Sequence, residues 1–148
     1  TFDFTDAGLA STYRMPLSRI EDSFETLVGH AAAGGAEVVV VEVADGVFQK
    51  ETAAILRASK IKDRLDGILF AAPDALGSVG GVHALDGYGL RPFAVSGMVT
   101  RSPLAVQEAF AETGVPHMTC EQLGDPASIS ELVRPLLRSQ PVVRWAAA

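Results

Sequence analysis

The chain has 148 residues, the size of one ordinary domain, and its 48% hydrophobic content with 20% charged residues is too apolar for a disordered polymer. A net charge of −6 without a basic stripe argues against nucleic acid or an anionic membrane as a partner. The single cysteine, Cys120, excludes an internal disulfide, and no apolar run reaches the roughly 18 residues of a membrane span.

The opening Thr1-Phe2-Asp3 is acidic and lacks the basic region of a signal peptide, so a cytoplasmic protein is expected. The chain begins on Thr1, and Phe2-Asp3-Phe4 reads like the end of an element. Processing would account for this; a larger protein beginning upstream is the stronger expectation. Thr1 to Pro16 is rich in small and polar residues and reads as a loop, with a short strand possible only at its start.

Ser18-Arg19-Ile20-Glu21 fits a capping box. Leu17, Ile20, Phe24, Leu27, Val28 and Ala31 follow at spacings of three and four, which predicts an amphipathic helix stopped by Gly34-Gly35. Glu37 to Val43 is continuously apolar apart from its acidic residues, the pattern of a strand covered on both faces. Ala44-Asp45-Gly46 turns the chain into a helix from about Phe48 to Ser59.

Leu65 to Ala72 is the next predicted strand, ended by Pro73. Asp74 caps a helix through Leu85 that Gly77, Gly80 and Gly81 weaken. Arg91 to Val95 is a third strand, closed by Ser96-Gly97. Ser102-Pro103 opens a helix that runs to Glu112 and ends at Gly114. Val115 to Met118 is a short fourth strand. Asp125-Pro126 starts a last helix, with Ser128 and Glu131 framing another capping box and Leu132, Val133, Leu136 and Leu137 on its apolar side. The tail from Gln140 to Ala148 reads as extended or frayed.

Strands alternating with helices predict an α/β fold: a parallel sheet of about four or five strands flanked by helices, a three-layer sandwich. No linker divides the chain, so residues 1–148 read as a single α/β domain. In such a sheet the functional groups gather beyond the carboxyl ends of the strands. Those ends hold Glu42, Asp45 and Gly46; Pro73 and Asp74; Ser96, Gly97 and Thr100; and Thr119, Cys120 and Glu121.

Glu42 is the sharpest candidate. A carboxylate at the end of a buried valine run must be paired or bound to metal, and magnesium takes carboxylates, waters and phosphates. The plain alternative is a strand-end glutamate paired with Lys50 or an arginine. Asp45 is a second acid, in an Asp-Gly pair that also suits a turn for conformational reasons alone. Lys50, Glu51 and Thr52 sit at the start of a helix, where backbone N–H groups favour anions, and a solvated first turn is the stronger reading for each of them.

Asp3, Thr5 and Asp6 cluster in the opening loop, with Arg14 shortly after. Asp6 is a candidate metal ligand and Arg14 a candidate phosphate ligand; an ordinary surface turn explains both as well. Cys120 reads as structural. His30, His83 and His117 lack metal-ligand spacing. Gly77-Ser78-Val79-Gly80-Gly81 has no lysine and does not match G-x-G-x-x-G, so it reads as a packing or helix-start feature.

VVVVEVADG with a helix behind it resembles the second-acid segment of P-loop NTPases of the dethiobiotin synthetase-like group, in which an apolar strand ends in a glutamate and a turn of the form VEGAGG. Glu42 matches the glutamate and Gly46 a glycine, whereas Val43 and Asp45 depart. FAVSGMVTRSPLAVQEA resembles a later strand, loop and helix of the same group, and the likeness spans roughly Glu37 to Val115.

The resemblance implies that Glu42 holds or orients magnesium at the terminal phosphates of ATP or GTP, that Asp6 is a second acid, and that Ser96 and Gly97 lie near the base. The phosphate-cradling G-x-x-x-x-G-K-S/T loop occurs nowhere in the chain. The 148 residues are therefore expected to be the carboxyl-terminal part of a larger nucleotide-binding domain, completed by a missing amino-terminal segment or a second chain. Phosphoryl transfer to a small-molecule substrate, and a homo-oligomer or partner chain covering the sheet edge, complete that expectation. The rival is a non-enzymatic α/β domain that binds a metabolite or partner; a hydrolase using Asp45 or Cys120 ranks lower because no base partner is evident.

Overall fold

The computed structural model describes residues 1–137. The calls on the tail from Gln140 lie outside these residues. The described chain divides into two compact units, Thr1–Arg64 and the residues from Leu65 onward.

In the first unit, the opening loop leads into α1 (Leu17–Ala33). Pro16 rather than Ser18 precedes the helix, and no side chain caps it. The apolar stripe begins as the spacing predicts, with Ile20 buried and Phe24, Leu27 and Val28 half-buried. Ser23 is buried on the same side.

After α1 the expected first strand does not form. Residues 37–44 carry no strand pairing, and Val38, Val39, Val40, Val41 and Val43 are all at least 40% exposed. The turn that follows places Asp45 in the left-handed region at φ 67. The predicted helix 48–59 is shorter and divided: α2 (Lys50–Arg57) ends where Ala58 turns extended, and α3 (Ser59–Lys62) follows. Gln49 caps α2, its side-chain oxygen accepting from Thr52 N at 2.8 Å.

The second unit is built on β1 (Leu69–Ala71), α4 (Ala75–Gly87) and β2 (Ala94–Ser96), followed by a 3₁₀ turn (Met98–Arg101). Then come α5 (Pro103–Thr113), α6 (Cys120–Gly124) and α7 (Pro126–Leu137). The two strands pair in parallel, with Leu69, Phe70 and Ala71 opposite Ala94, Val95 and Ser96. The expected strand Val115 to Met118 contributes one parallel bridge, Val95 to His117.

Helix punctuation here follows the sequence closely. Asp74 accepts from Gly77 N at 2.7 Å, and Ser102 accepts from Ala105 N ahead of Pro103. Gly114 ends α5 at φ 66. The glycines that weaken α4 have a packing reason. A Cβ on Gly81 would lie 2.1 Å from the Phe70 ring, so only glycine lets α4 close on β1. Ala72, Val82, Val95, Val99 and Val115 form the core of this unit, with Phe70 and Ala105 packed against it.

The described chain is thus mainly helical with a two-stranded parallel sheet, which overturns the expected four- or five-stranded sandwich. The physical reason lies in the partners. A helix satisfies its backbone internally, whereas a strand forms only where a second strand takes its N–H and C=O groups. The valine run has the composition of a strand and no neighbour to pair with among the described residues. No helix among the described residues is long and apolar enough to cross a membrane.

Candidate functional site

In the first unit, the opening loop is ordered by its own side chains. The Asp3 carboxylate accepts from Thr5 N at 2.6 Å and Thr5 Oγ1 at 2.5 Å. These bonds stabilise the charged form and hold its pKa below the usual carboxylate value. Asp6 Oδ2 accepts from Asp3 N at 2.8 Å, so one of its oxygens closes the turn and the other is left for a ligand.

Arg14 takes the left-handed conformation at φ 58, and its backbone N–H donates to Glu51 Oε1 at 3.1 Å. Glu51 also accepts from its own backbone N–H and from Gln49 Nε2, and its pKa is lowered, the first of these being the largest cause. The loop bearing Arg14 is thereby anchored to the start of α2. Thr52, read from the sequence as solvated, is 5% exposed, and its Oγ1 donates to Ala44 O at 3.1 Å. That bond ties the Asp45 turn to α2.

Glu42 and Asp45 are exposed. No ion pair joins Glu42 to Lys50 or an arginine among the described residues, so the expected alternative of a paired glutamate is not what the structure has. The argument that burial forces Glu42 to find a counter-charge lapses as well, because the valines ahead of it are exposed. No hydrogen bond joins Asp6, Glu42 and Asp45 to one another, and no group of three or more His, Cys, Asp or Glu side chains is arranged for a metal among the described residues.

In the second unit, Ser96 and Gly97 sit at the carboxyl end of β2. Ser96 is 4% exposed and its Oγ donates to Met118 O at 2.7 Å, fastening the segment of the isolated bridge beside β2. Gly97 has φ 94, and a Cβ there would approach Ala72 O to 2.8 Å. Its carbonyl accepts from Thr100 Oγ1 at 2.7 Å. The pair therefore lets the chain cross the end of β1 closely.

One contact escapes the sequence. Ser78 Oγ lies 3.0 Å from His117 Nε2, and His117 Nδ1 lies 3.0 Å from Val115 O. Nδ1 must donate to the carbonyl, so in the neutral ring Nε2 accepts from the Ser78 hydroxyl. The order Ser, His, acceptor resembles a nucleophile with its base, but Ser78 has no exposed surface and cannot meet a substrate. Burial lowers the His117 pKa from its usual value, outweighing the bond to Val115. Thirty-nine residues separate the partners, and no local pattern points from one to the other. Cys120, expected to be structural, is an exposed free thiol at the first residue of α6.

No protein-family model, curated protein or solved structure matches the chain.

Proposed function

We propose that the chain is the acid-bearing part of a magnesium- and nucleotide-dependent enzyme resembling the dethiobiotin synthetase-like P-loop NTPases. Its partner is the segment or second chain that carries the phosphate-cradling loop. The observation that carries this reading is the exposed run Val38–Val43, an apolar segment bearing a Glu42 without an ion pair among the described residues and followed by a turn tied to α2.

Fully burying one valine side chain stabilises by roughly 1.5–3 kcal/mol, so five valines that are 40–90% exposed carry a cost that a pairing strand, with the layers covering its sheet, would reduce. Glu37 and Glu42 bound the run's first four valines. Antiparallel self-pairing centred on those valines would set glutamate opposite glutamate at both ends, which is destabilising. A different strand, the one leading into the phosphate loop, meets no such penalty.

When that strand is in place, Glu42 stands beside the loop and holds or orients magnesium, which supplies charge neutralisation at the terminal phosphates of ATP or GTP. Asp6 adds the oxygen not used by Asp3 N. Arg14, on a loop anchored through Glu51, contributes charge toward the phosphates. Asp45 is a second catalytic acid. The product is a small-molecule substrate activated by phosphoryl transfer.

The coding sequence that precedes Thr1, with the nucleotide chemistry of its product, tests the reading. An in-frame glycine-rich loop ending in Lys-Ser or Lys-Thr, with magnesium-dependent ATP or GTP hydrolysis, is the expected result. A gene and its neighbouring subunits without such a loop would sink it. In the loop-containing protein, Glu42→Gln lowers turnover at least tenfold, about 1.4 kcal/mol of transition-state stabilisation. Full turnover in a folded variant removes Glu42 from the mechanism.

A further inference from the structure

The first unit holds a cavity of about 110 Å³ between the opening loop and α1, lined by Ala7, Leu9, Arg19, Asp22, Ser23 and Thr26. Its four helical residues fall at spacings of three and four, so they share one face. Ala7 and Leu9 supply an apolar wall, held in place by Gly8 N to Thr5 O at 2.9 Å and Leu9 N to Phe4 O at 3.0 Å. The loop carrying that wall is braced further by Asp3 and Asp6, so the cavity is built before any ligand arrives.

Ser23 carries the second observation. It is 8% exposed, and its Oγ is the buried side-chain polar atom without a hydrogen-bond partner among the described residues. A buried hydroxyl left unmatched is destabilising, and a ligand or water in the cavity is what would satisfy it.

The lining has opposed chemistry. Arg19 offers only donors, and Asp22 only acceptors. Neither is in an ion pair among the described residues. Thr26 Oγ1 spends its proton on Asp22 O at 2.8 Å and is left as an acceptor. Ser23, between these groups along the helix, can give or accept. A simple anion would face Asp22, and a simple cation would face Arg19. A zwitterion meets both. The volume is below the roughly 150 Å³ of a closed cavity that admits benzene, so the part of a ligand that enters it is small, about four or five heavy atoms, with the remainder at the open mouth.

We propose that this cavity binds a small zwitterionic amino acid of the size of glycine or alanine, its carboxylate toward Arg19 and Ser23 and its ammonium toward Asp22 and Thr26. The charged groups stand on an exposed rim, where water competes, so the affinity is in the millimolar range. The proposal does not rest on the nucleotide reading: none of the cavity's lining residues belongs to it, and Asp6 is shared only through the bond that braces the loop.

Amide chemical-shift titrations of the chain with glycine, L-alanine, sodium acetate and methylammonium chloride at equal ionic strength test it. Glycine and alanine shift the resonances of Ala7, Ser23 and Thr26 saturably, at least roughly fivefold more tightly than either single-charge probe. Arg19→Gln and Asp22→Asn each weaken glycine by a similar factor, and Asp22→Asn does not weaken acetate. Both substitutions are on exposed side chains, and an unchanged spectrum elsewhere shows that each variant is folded. Absence of saturable glycine binding, acetate binding as tightly as glycine, or indifference of glycine to both substitutions overturns the proposal.

Discussion

His117 joins three parts of the second unit through two ring nitrogens. Nδ1 reaches Val115 O, Nε2 reaches the buried Ser78 hydroxyl of α4, and the backbone bridges to Val95 of β2. Burial favours the neutral ring, so the folded-state pKa lies below the usual imidazole value of about 6.5. The unfolded chain therefore binds more protons than the folded chain between those two values, and stability falls as pH drops through about 6.5. Urea midpoints measured from pH 8 to pH 5 are expected to decline, and to decline less in His117→Gln. Asp3, Glu51 and Asp125 have lowered pKa values, so their contributions are lost as pH falls through the ordinary carboxylate range and below it, largely outside the window of the test. An identical decline in the variant would show that His117 is not the titrating group.

At the scale of elements, what could be read from the sequence was what is local. Asp74, Ser102 and Gly114 mark helix ends through contacts within a few residues, and all three act there as their types suggest. The α1 stripe is legible for the same reason. The Thr119–Gln122 capping box that starts α6 is equally local and could have been found. Strands are different, because hydrogen bonding to a neighbour decides them. Val38–Val43 is far richer in β-branched residues than Ala94–Ser96, yet only the second has a partner, β1. Nor could the sequence indicate that Ser96 is committed to Met118 O, that Arg14 is tied to Glu51, or that Ser78 faces His117.

The contrast gives a stability prediction. Val82 has no exposed surface, and Val40 is 90% exposed. Val82→Ala removes two buried methyl groups and leaves a void, a loss of about 2–3 kcal/mol. Val40→Ala stays within about 0.5 kcal/mol. Denaturant unfolding of the two variants checks the pair of values; a loss at Val40 comparable to that at Val82 would mean the valine run is covered in solution.

For the molecule as a whole, the exposed valines and the net charge oppose each other. Five exposed valines on a segment without strand pairing among the described residues make a template for pairing with other chains. A net charge of −6 holds identical chains apart, but only over the screening length, about 8 Å at 0.15 M salt. Added salt is therefore expected to increase association, in contrast to a contact made by ion pairs, which salt weakens. Val40→Lys separates the two forces. It places a charge in the middle of the apolar run, which disfavours strand pairing, while bringing the net charge nearer to zero, which favours association. If the valine run is the contact, light scattering in rising salt grows for the wild-type chain and much less for Val40→Lys, despite its weaker repulsion. If general charge repulsion is all that matters, the variant associates more readily than the wild type. The same substitution in the loop-containing protein should release the strand that covers the run, so one change reads both the aggregation hazard of the isolated chain and the pairing that the nucleotide reading requires.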